Sequence, residues 1–338
     1  MPHVSTTVVR SSCHLTGRVR PGADIASAHR ATGSAIFLGM FRQLACVLFC
    51  TTALAQASEP YTGPIIDMHI HVYAKDPRWD ADVENPVTGH KITAKSEEAH
   101  RMATVAQFKQ HNIVGAMVGN DLEVARRWRD ALGKDIWIGY AIEDPAAVDS
   151  VVLEREARAH HIDAIAEVAP YYAGIAPDDT RLEPMWKLAE ELDLPVGFHV
   201  HPGPPGPLYM GIKEARADNV SPKALDKVLV RHPKLRLYVM HAGYPMLEEM
   251  LLLMYMHPQV YVDLGAISWS RPQAEFHRYL QRLVEAGYED RVMFGSDQMV
   301  WPETIGLAVE AVDSAPFLTT VQKRKIFYEN ARRFMRVQ

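Results

Sequence analysis

What most constrains this chain is an ordered alternation that starts at Ile65 and continues to the C-terminal end. Short runs rich in β-branched and apolar residues are each followed by a stretch with helical period. Eight such runs are expected as strands, at 65–72, 113–118, 136–142, 164–169, 196–201, 235–241, 260–264 and 292–295. Helical patterns fill the intervals at 97–110, 122–132, 149–159, 182–192, 221–231, 245–256 and 272–286, with a helical tail from Pro302. Within 182–192, Leu182, Met185, Trp186, Ala189 and Leu192 share one face, the spacing of a helix that covers a sheet. A strand–helix unit repeated eight times predicts an α/β fold, a single-domain (β/α)8 TIM barrel over residues 58–338. A doubly wound open sheet would bring a glycine-rich phosphate turn after its first strand, and here that strand ends in histidines. Two connections are long, 73–96 and 202–220. In a barrel both lie on the C-terminal face, where lids and substrate walls are built.

The first 57 residues have a different composition. Arg10, Arg18, Arg20 and Arg30 face the lone acid Asp24, then Met40-Phe41-Arg42 precedes an apolar run at 44–54 and the triplet Ala55-Gln56-Ala57. A positive segment, a short apolar core and an Ala-x-Ala end predict a secretory signal peptide at about 40–57, cleaved after Ala57, with 1–39 an extension ahead of a start at Met40 or, as the alternative, an unusually long positive segment of the signal. The core is shorter than the roughly 20 apolar residues of a membrane span, so no stable membrane insertion is expected after cleavage. Cys13, Cys46 and Cys50 all fall in this head, which leaves the mature chain without disulfides. The whole chain carries a net charge of −5; removing five arginines and one aspartate brings it near −9. That balance, without a basic run, points away from nucleic acid and toward a soluble periplasmic or secreted protein.

The chemistry concentrates at the strand ends. In Ile66-Asp67-Met68-His69-Ile70-His71, strict alternation would send Asp67, His69 and His71 to one side and Ile66, Met68 and Ile70 toward the helices. Two imidazoles at the end of a buried strand need a partner, and a metal is the natural one; a pair of satisfied core histidines is the alternative. His199, His241 and Asp297 end the fifth, sixth and eighth expected strands, which places them on the same rim.

The ordered set Ile66-Asp67-x-His69-x-His71, Leu194-Pro195-Val196-x-x-His199, His241-x-Gly243, Phe294-Gly295-Ser296-Asp297 and Asn330-Ala331-Arg332-Arg333-Phe334 resembles the amidohydrolase superfamily, specifically the branch called amidohydrolase family 2, across 65–337. The resemblance implies that His69, His71, His199 and Asp297 ligate a metal. It further implies that His241 ligates a second ion or orients the attacking water, and that Asp297 accepts a proton from that water. Many members bridge two metals with a carboxylated lysine on strand 4, and no lysine stands in 161–168. Glu167 is placed there much like the bridging glutamate of the deoxyribonuclease-like branch, with a buried structural carboxylate as the alternative. His201 follows His199 by two residues and is expected to stand behind the ligands or face substrate, with metal ligation as the alternative. Tyr73, Trp79, Tyr171, Tyr172, Tyr209, Trp269, Arg271 and Trp301 follow strands and are candidates for the substrate wall, Arg271 for a carboxylate. For each of these eight, plain loop packing is the alternative.

Such a ligand set leaves an open position on a divalent ion, with zinc expected and one or two ions compatible, which lowers the pKa of a bound water to about 7. The expected activity is hydrolysis of an amide, lactone or ester in a small organic substrate. The alternative within the resemblance is decarboxylation or hydration of an aromatic or dienoic carboxylic acid. Pairing of barrels through their outer helices leaves a homo-oligomer open.

Overall fold

The computed structural model describes residues 59–81 and 83–337. The expected extension, signal peptide and cleavage site lie outside the described residues. The strands are β1 (Ile65–Val72), β2 (Ile113–Asn120), β3 (Ile136–Ile138), β4 (Ile165–Val168), β5 (Val196–His199), β6 (Leu237–Met240), β7 (Val260–Asp263) and β8 (Val292–Met293). They pair in parallel as two runs, β1-β2-β3 and β4-β5-β6-β7-β8. Two seams join the runs into a ring. Gly139 bridges Ala164 and Ile142 bridges Val168, both in parallel sense. On the other side Met68 N–H donates to Phe294 O at 2.9 Å and Asp297 N–H to His69 O at 2.8 Å. The result is the expected closed eight-strand barrel.

The helices are α1 (Glu97–Gln110), α2 (Leu122–Leu132), α3 (Ser150–Arg158), α4 (Glu183–Glu191), α5 (Ala224–Arg231), α6 (Leu247–Met256), α7 (Ile267–Ser270), α8 (Gln273–Glu285), α9 (Thr304–Asp313), α10 (Thr320–Arg324) and α11 (Asn330–Met335). Local chemistry starts several of them. Ser96 accepts from Ala99 N–H, Asp121 from Glu123 and Val124, and Asp149 from Val151 and Val152, which satisfies donors left open in the first turn. α2 then turns Val124, Ala125 and Trp128 into the layer between helices and strands. No helix among the described residues is long and apolar enough to cross a membrane.

Two expectations change. Strands 3 to 8 are shorter than their apolar runs, and after strands 6 and 8 the chain leaves the ladder at the rim. His241 and Asp297 there adopt left-handed φ values of 58° and 52°. The alternation of β1 also breaks. Ile66 and Met68 do not face the helices; they pack inside the barrel with Met117, Trp137, Tyr238, Met240 and Met293. The pairing with β2 shifts register between Asp67 and Ile70, so residues on either side of the shift no longer share a face by parity. Asp67 accordingly does not join the histidine side chains. Its Oδ1 accepts the N–H groups of His69 at 3.0 Å and Ser296 at 2.9 Å, and burial pushes its carboxyl up to about 6.

The barrel floor is filled by fully buried Tyr238, which lies where a Cβ on Gly197 would stand 2.4 Å from its ring. Phe334 of α11 meets Tyr238 edge-on at 5.4 Å and Tyr261 at 5.1 Å, closing that end.

Candidate metal centre

Six buried or nearly buried groups converge on the opposite end. β1 supplies His69 and His71, β4 Glu167, and β5 His199, while His241 follows β6 directly and Asp297 stands four residues past the end of β8. Glu167 stands in the middle. Its Oε1 makes a short contact with His199 Nδ1 and lies 3.7 Å from His241 Nε2. Its Oε2 lies 3.5 Å from His69 Nε2 and 3.7 Å from His71 Nε2. Asp297 Oδ1 is 2.8 Å from His71 Nε2 and 3.9 Å from His69 Nε2, and Oδ2 is 3.8 Å from His241 Nδ1. His241 Nε2 is 3.0 Å from His199 Nδ1. The four residues anticipated as one ligand set are therefore divided. His69, His71 and Asp297 cluster on one side of Glu167, and His199 stands on the other beside His241.

The donor set fits a divalent ion. His69 Nε2 is buried without a hydrogen-bond partner, and the close approach of His71 Nε2 to buried Asp297 Oδ1 lacks good hydrogen-bond geometry, an arrangement native interiors avoid unless something else satisfies the atoms. Imidazole nitrogens and carboxylate oxygens are the ligands zinc and its neighbours take, and three His–carboxylate groups here place their ligand atoms within 4.8 Å of one another. The charges are mutually dependent. Burial pushes the Glu167 carboxyl up, but His199, His241 and His69 outweigh it and hold the group well below the usual carboxylate range. Burial likewise opposes ionisation of Asp297, and His69 and His71 overcome it. Burial lowers His69 and His241, yet the surrounding carboxylates raise both above the usual imidazole value.

Three residues that the sequence did not flag hold the histidines. Asp263, at the end of β7, faces His69 Nδ1 with Oδ2 at 3.1 Å. Asn120, at the end of β2, meets His71 Nδ1 through Oδ1. Gln298 accepts the His71 N–H at 3.0 Å and donates to its carbonyl at 2.8 Å. The strand-end position that marked the histidines marks Asp263 and Asn120 too; Gln298 carried no such signal.

A cavity of about 460 Å³ opens beside His71, Glu167, His199 and Asp297, walled by Tyr73, Arg78, Asn120, Glu143 and Tyr172. Arg78 donates to both oxygens of Asp76 at 2.8 and 2.7 Å and to Tyr73 Oη at 3.1 Å. Other anticipated wall residues are turned elsewhere. Trp269 is buried and gives its indole N–H to Ser296 O at 2.8 Å. Arg271 lies over the Tyr244 ring at 5.9 Å, and neither it nor His201 lines the cavity. His201 is drawn down to about 2 by burial and by His241 and His199, and its Nδ1 accepts Gly203 N–H at 3.0 Å. Trp79, Tyr171 and Trp301 are buried, Tyr171 donating to Pro202 O, whereas Tyr209 is among the most exposed apolar side chains.

Comparison with known proteins agrees with this architecture. A search of curated proteins returns no match. Among solved structures, an uncharacterized TIM-barrel protein from Bordetella bronchiseptica is 17% identical with a TM-score of 0.65, covering 81% of this chain and 99% of its own. The 5-carboxyvanillate decarboxylase of Novosphingobium aromaticivorans, complexed with manganese and 4-hydroxy-3-methoxy-5-nitrobenzoic acid, is 14% identical with a TM-score of 0.56, covering 84% and 99%. A probable 2-pyrone-4,6-dicarboxylic acid hydrolase of Acinetobacter baumannii, with citric acid bound, is 13% identical with a TM-score of 0.54, covering 81% and 99%. Likeness at this identity speaks for the fold. The sequence profile described as Amidohydrolase matches residues 66–337, nearly the whole barrel, and the chain belongs to this amidohydrolase 2 family.

Proposed function

We propose that the protein is a metal-dependent hydrolase that cleaves an amide, lactone or ester bond in a small organic substrate. The observation that carries this reading is Glu167, whose two carboxylate oxygens face two different pairs of histidines. His69, His71 and Asp297 would hold one divalent ion, His199 and His241 a second, with Glu167 shared; zinc suits this nitrogen-rich set. A bound ion acidifies a water and polarises a carbonyl oxygen. The remaining work belongs to the chain. Asp297, held ionised by its histidine neighbours, accepts the proton of the attacking water and returns it to the leaving group. Tyr73 and Tyr172 wall the cavity beside the centre.

The test is elemental analysis of purified protein and of Glu167→Gln, followed by a screen of lactones, N-acyl compounds and aromatic carboxylates. Glu167→Gln should lower the number of ions bound; unchanged stoichiometry with unchanged activity would make Glu167 a structural carboxylate. A second reading, decarboxylation of an aromatic acid, is favoured by Arg78, a guanidinium on the cavity wall over the Tyr73 ring. Product mass separates the two, since hydrolysis adds one water and decarboxylation removes one carbon dioxide.

A further inference from the structure

We propose that Asp263 is a positioning residue for this centre: it fixes which nitrogen of His69 is offered to a metal and anchors the turn that presents His241. The proposal rests on the reading of the rim as a metal site. Asp263 is fully buried, and its two oxygens serve different strands. Oδ2 lies 3.1 Å from His69 Nδ1, while Oδ1 accepts the N–H groups of His241 at 2.9 Å and Gly265 at 2.8 Å. It stands behind the His69 ring, opposite the edge where Nε2 faces Glu167 and Asp297. A carboxylate only accepts, so Nδ1 must carry a proton, which leaves Nε2 as the nitrogen that would offer its lone pair to a metal. The same group holds the backbone of His241 in its left-handed conformation, φ 58°. The socket tolerates little error. A Cβ on Gly265 would stand 2.5 Å from His69 Nδ1, and one on Gly295 3.0 Å from His69 Cβ. His71 differs, because its Nδ1 meets the neutral amide oxygen of Asn120. Of the two histidines on β1, His69 is thus the one whose Nδ1 has a charged partner, which raises its basicity as a ligand.

Asp263→Asn keeps an oxygen for the two backbone donors but turns an NH2 group toward Nδ1, which favours the wrong tautomer. Two measurements test this. Free Mn2+ followed by electron paramagnetic resonance should give a Kd weaker by about 10- to 100-fold in Asp263→Asn, with the far-ultraviolet circular dichroism of wild type. In metal-free wild type labelled with 15N-histidine, His69 should show a slowly exchanging Nδ1–H, assigned by its loss in His69→Gln and retained whether the ring is neutral or cationic. A wild-type Kd in folded Asp263→Asn, or a wild-type His69 with its proton on Nε2 alone, overturns the proposal. Should the variant not fold, the wild-type Nδ1 signal decides by itself. Wild-type protein that binds no Mn2+ or Zn2+ would instead overturn the metal-centre reading, and the Nδ1 signal would still decide the role of Asp263.

Discussion

One end of the barrel is closed with carbon, and the other is crowded with groups that titrate. At the floor, Ile66, Met68, Met117, Tyr238, Met240 and Met293 pack against Phe334. At the mouth, His69, His71, Glu167, His199, His241 and Asp297 share a few ångströms. The boundary falls between adjacent residues, Met68 and His69 on β1, Met240 and His241 after β6. A regular strand could not change character so abruptly. The chain does it by leaving regularity there, through the register shift after Asp67 and the left-handed turns at His241 and Asp297. Such backbone conformations cost about 1–3 kcal/mol each and persist where their surroundings over-determine them. The floor supplies stability that offsets the cost of burying ionisable groups at the mouth.

Substitutions should therefore separate the two ends, and the largest effects belong to the mouth. Asp297→Asn should lower turnover by at least about 10²–10⁴-fold while substrate still binds, because the amide cannot accept the water's proton. A pH–rate profile on the substrate found by screening measures this, and near wild-type turnover at neutral pH would mean the proton goes elsewhere. His69→Ala and His71→Ala should each lose most bound metal and keep the barrel's circular dichroism. Full metal content in both would make the histidines structural and erase the distinction between the ends. The floor should respond in the opposite way. Phe334→Ala opens space under Tyr238 and should cost about 3–5 kcal/mol in denaturant unfolding with unchanged metal stoichiometry. Gly197→Ala forces a methyl against the Tyr238 ring and should cost about 1–3 kcal/mol. A floor variant that stays stable but loses metal would show that the two ends are one unit.

What the sequence revealed follows the same division. α1 and α2 begin and end as the pattern predicts, because period and caps such as Ser96 and Asp121 are local. The rim residues were legible because a polar group ending an apolar strand is conspicuous without any tertiary information. The facing of β1 was not, since it depends on its register with β2. Nor was the task of Asp263, whose partner His69 is 194 residues away. Trp269 is a related case. Its place after β7 does not tell a ring turned to the cavity from one whose N–H is committed to Ser296.

The smallest expected effect tests a residue that supports the mouth yet behaves as core. His100 of α1 is buried among Tyr73, Trp79 and Trp128, at ring distances of 5.9, 6.2 and 6.3 Å, and donates from Nε2 to Met299 O at 2.8 Å. Tyr73 in turn stacks on His71 at 5.9 Å. Burial draws His100 down to about 4, against the opposing pull of the Met299 carbonyl. An unfolded histidine titrates near about 6.5. Above that pH the ring is neutral in both states, and its contribution is fully present. As pH falls from about 6.5 to about 4, the unfolded chain takes up a proton that the folded protein refuses, so stability is lost across that window. Below it both states are protonated and the loss stops. The most this can amount to is on the order of 3 kcal/mol. His100→Gln keeps a donor for Met299 and removes the titration, so the stability difference between variant and wild type should change across that window and be flat outside it. Urea unfolding at a series of pH values measures that difference, in which the titrations of the rim groups cancel. Metal content should stay that of wild type. Parallel pH profiles for the two proteins would mean that His100 is protonated as readily in the fold as out of it, and the layer behind His71 would then be wetter than its burial implies.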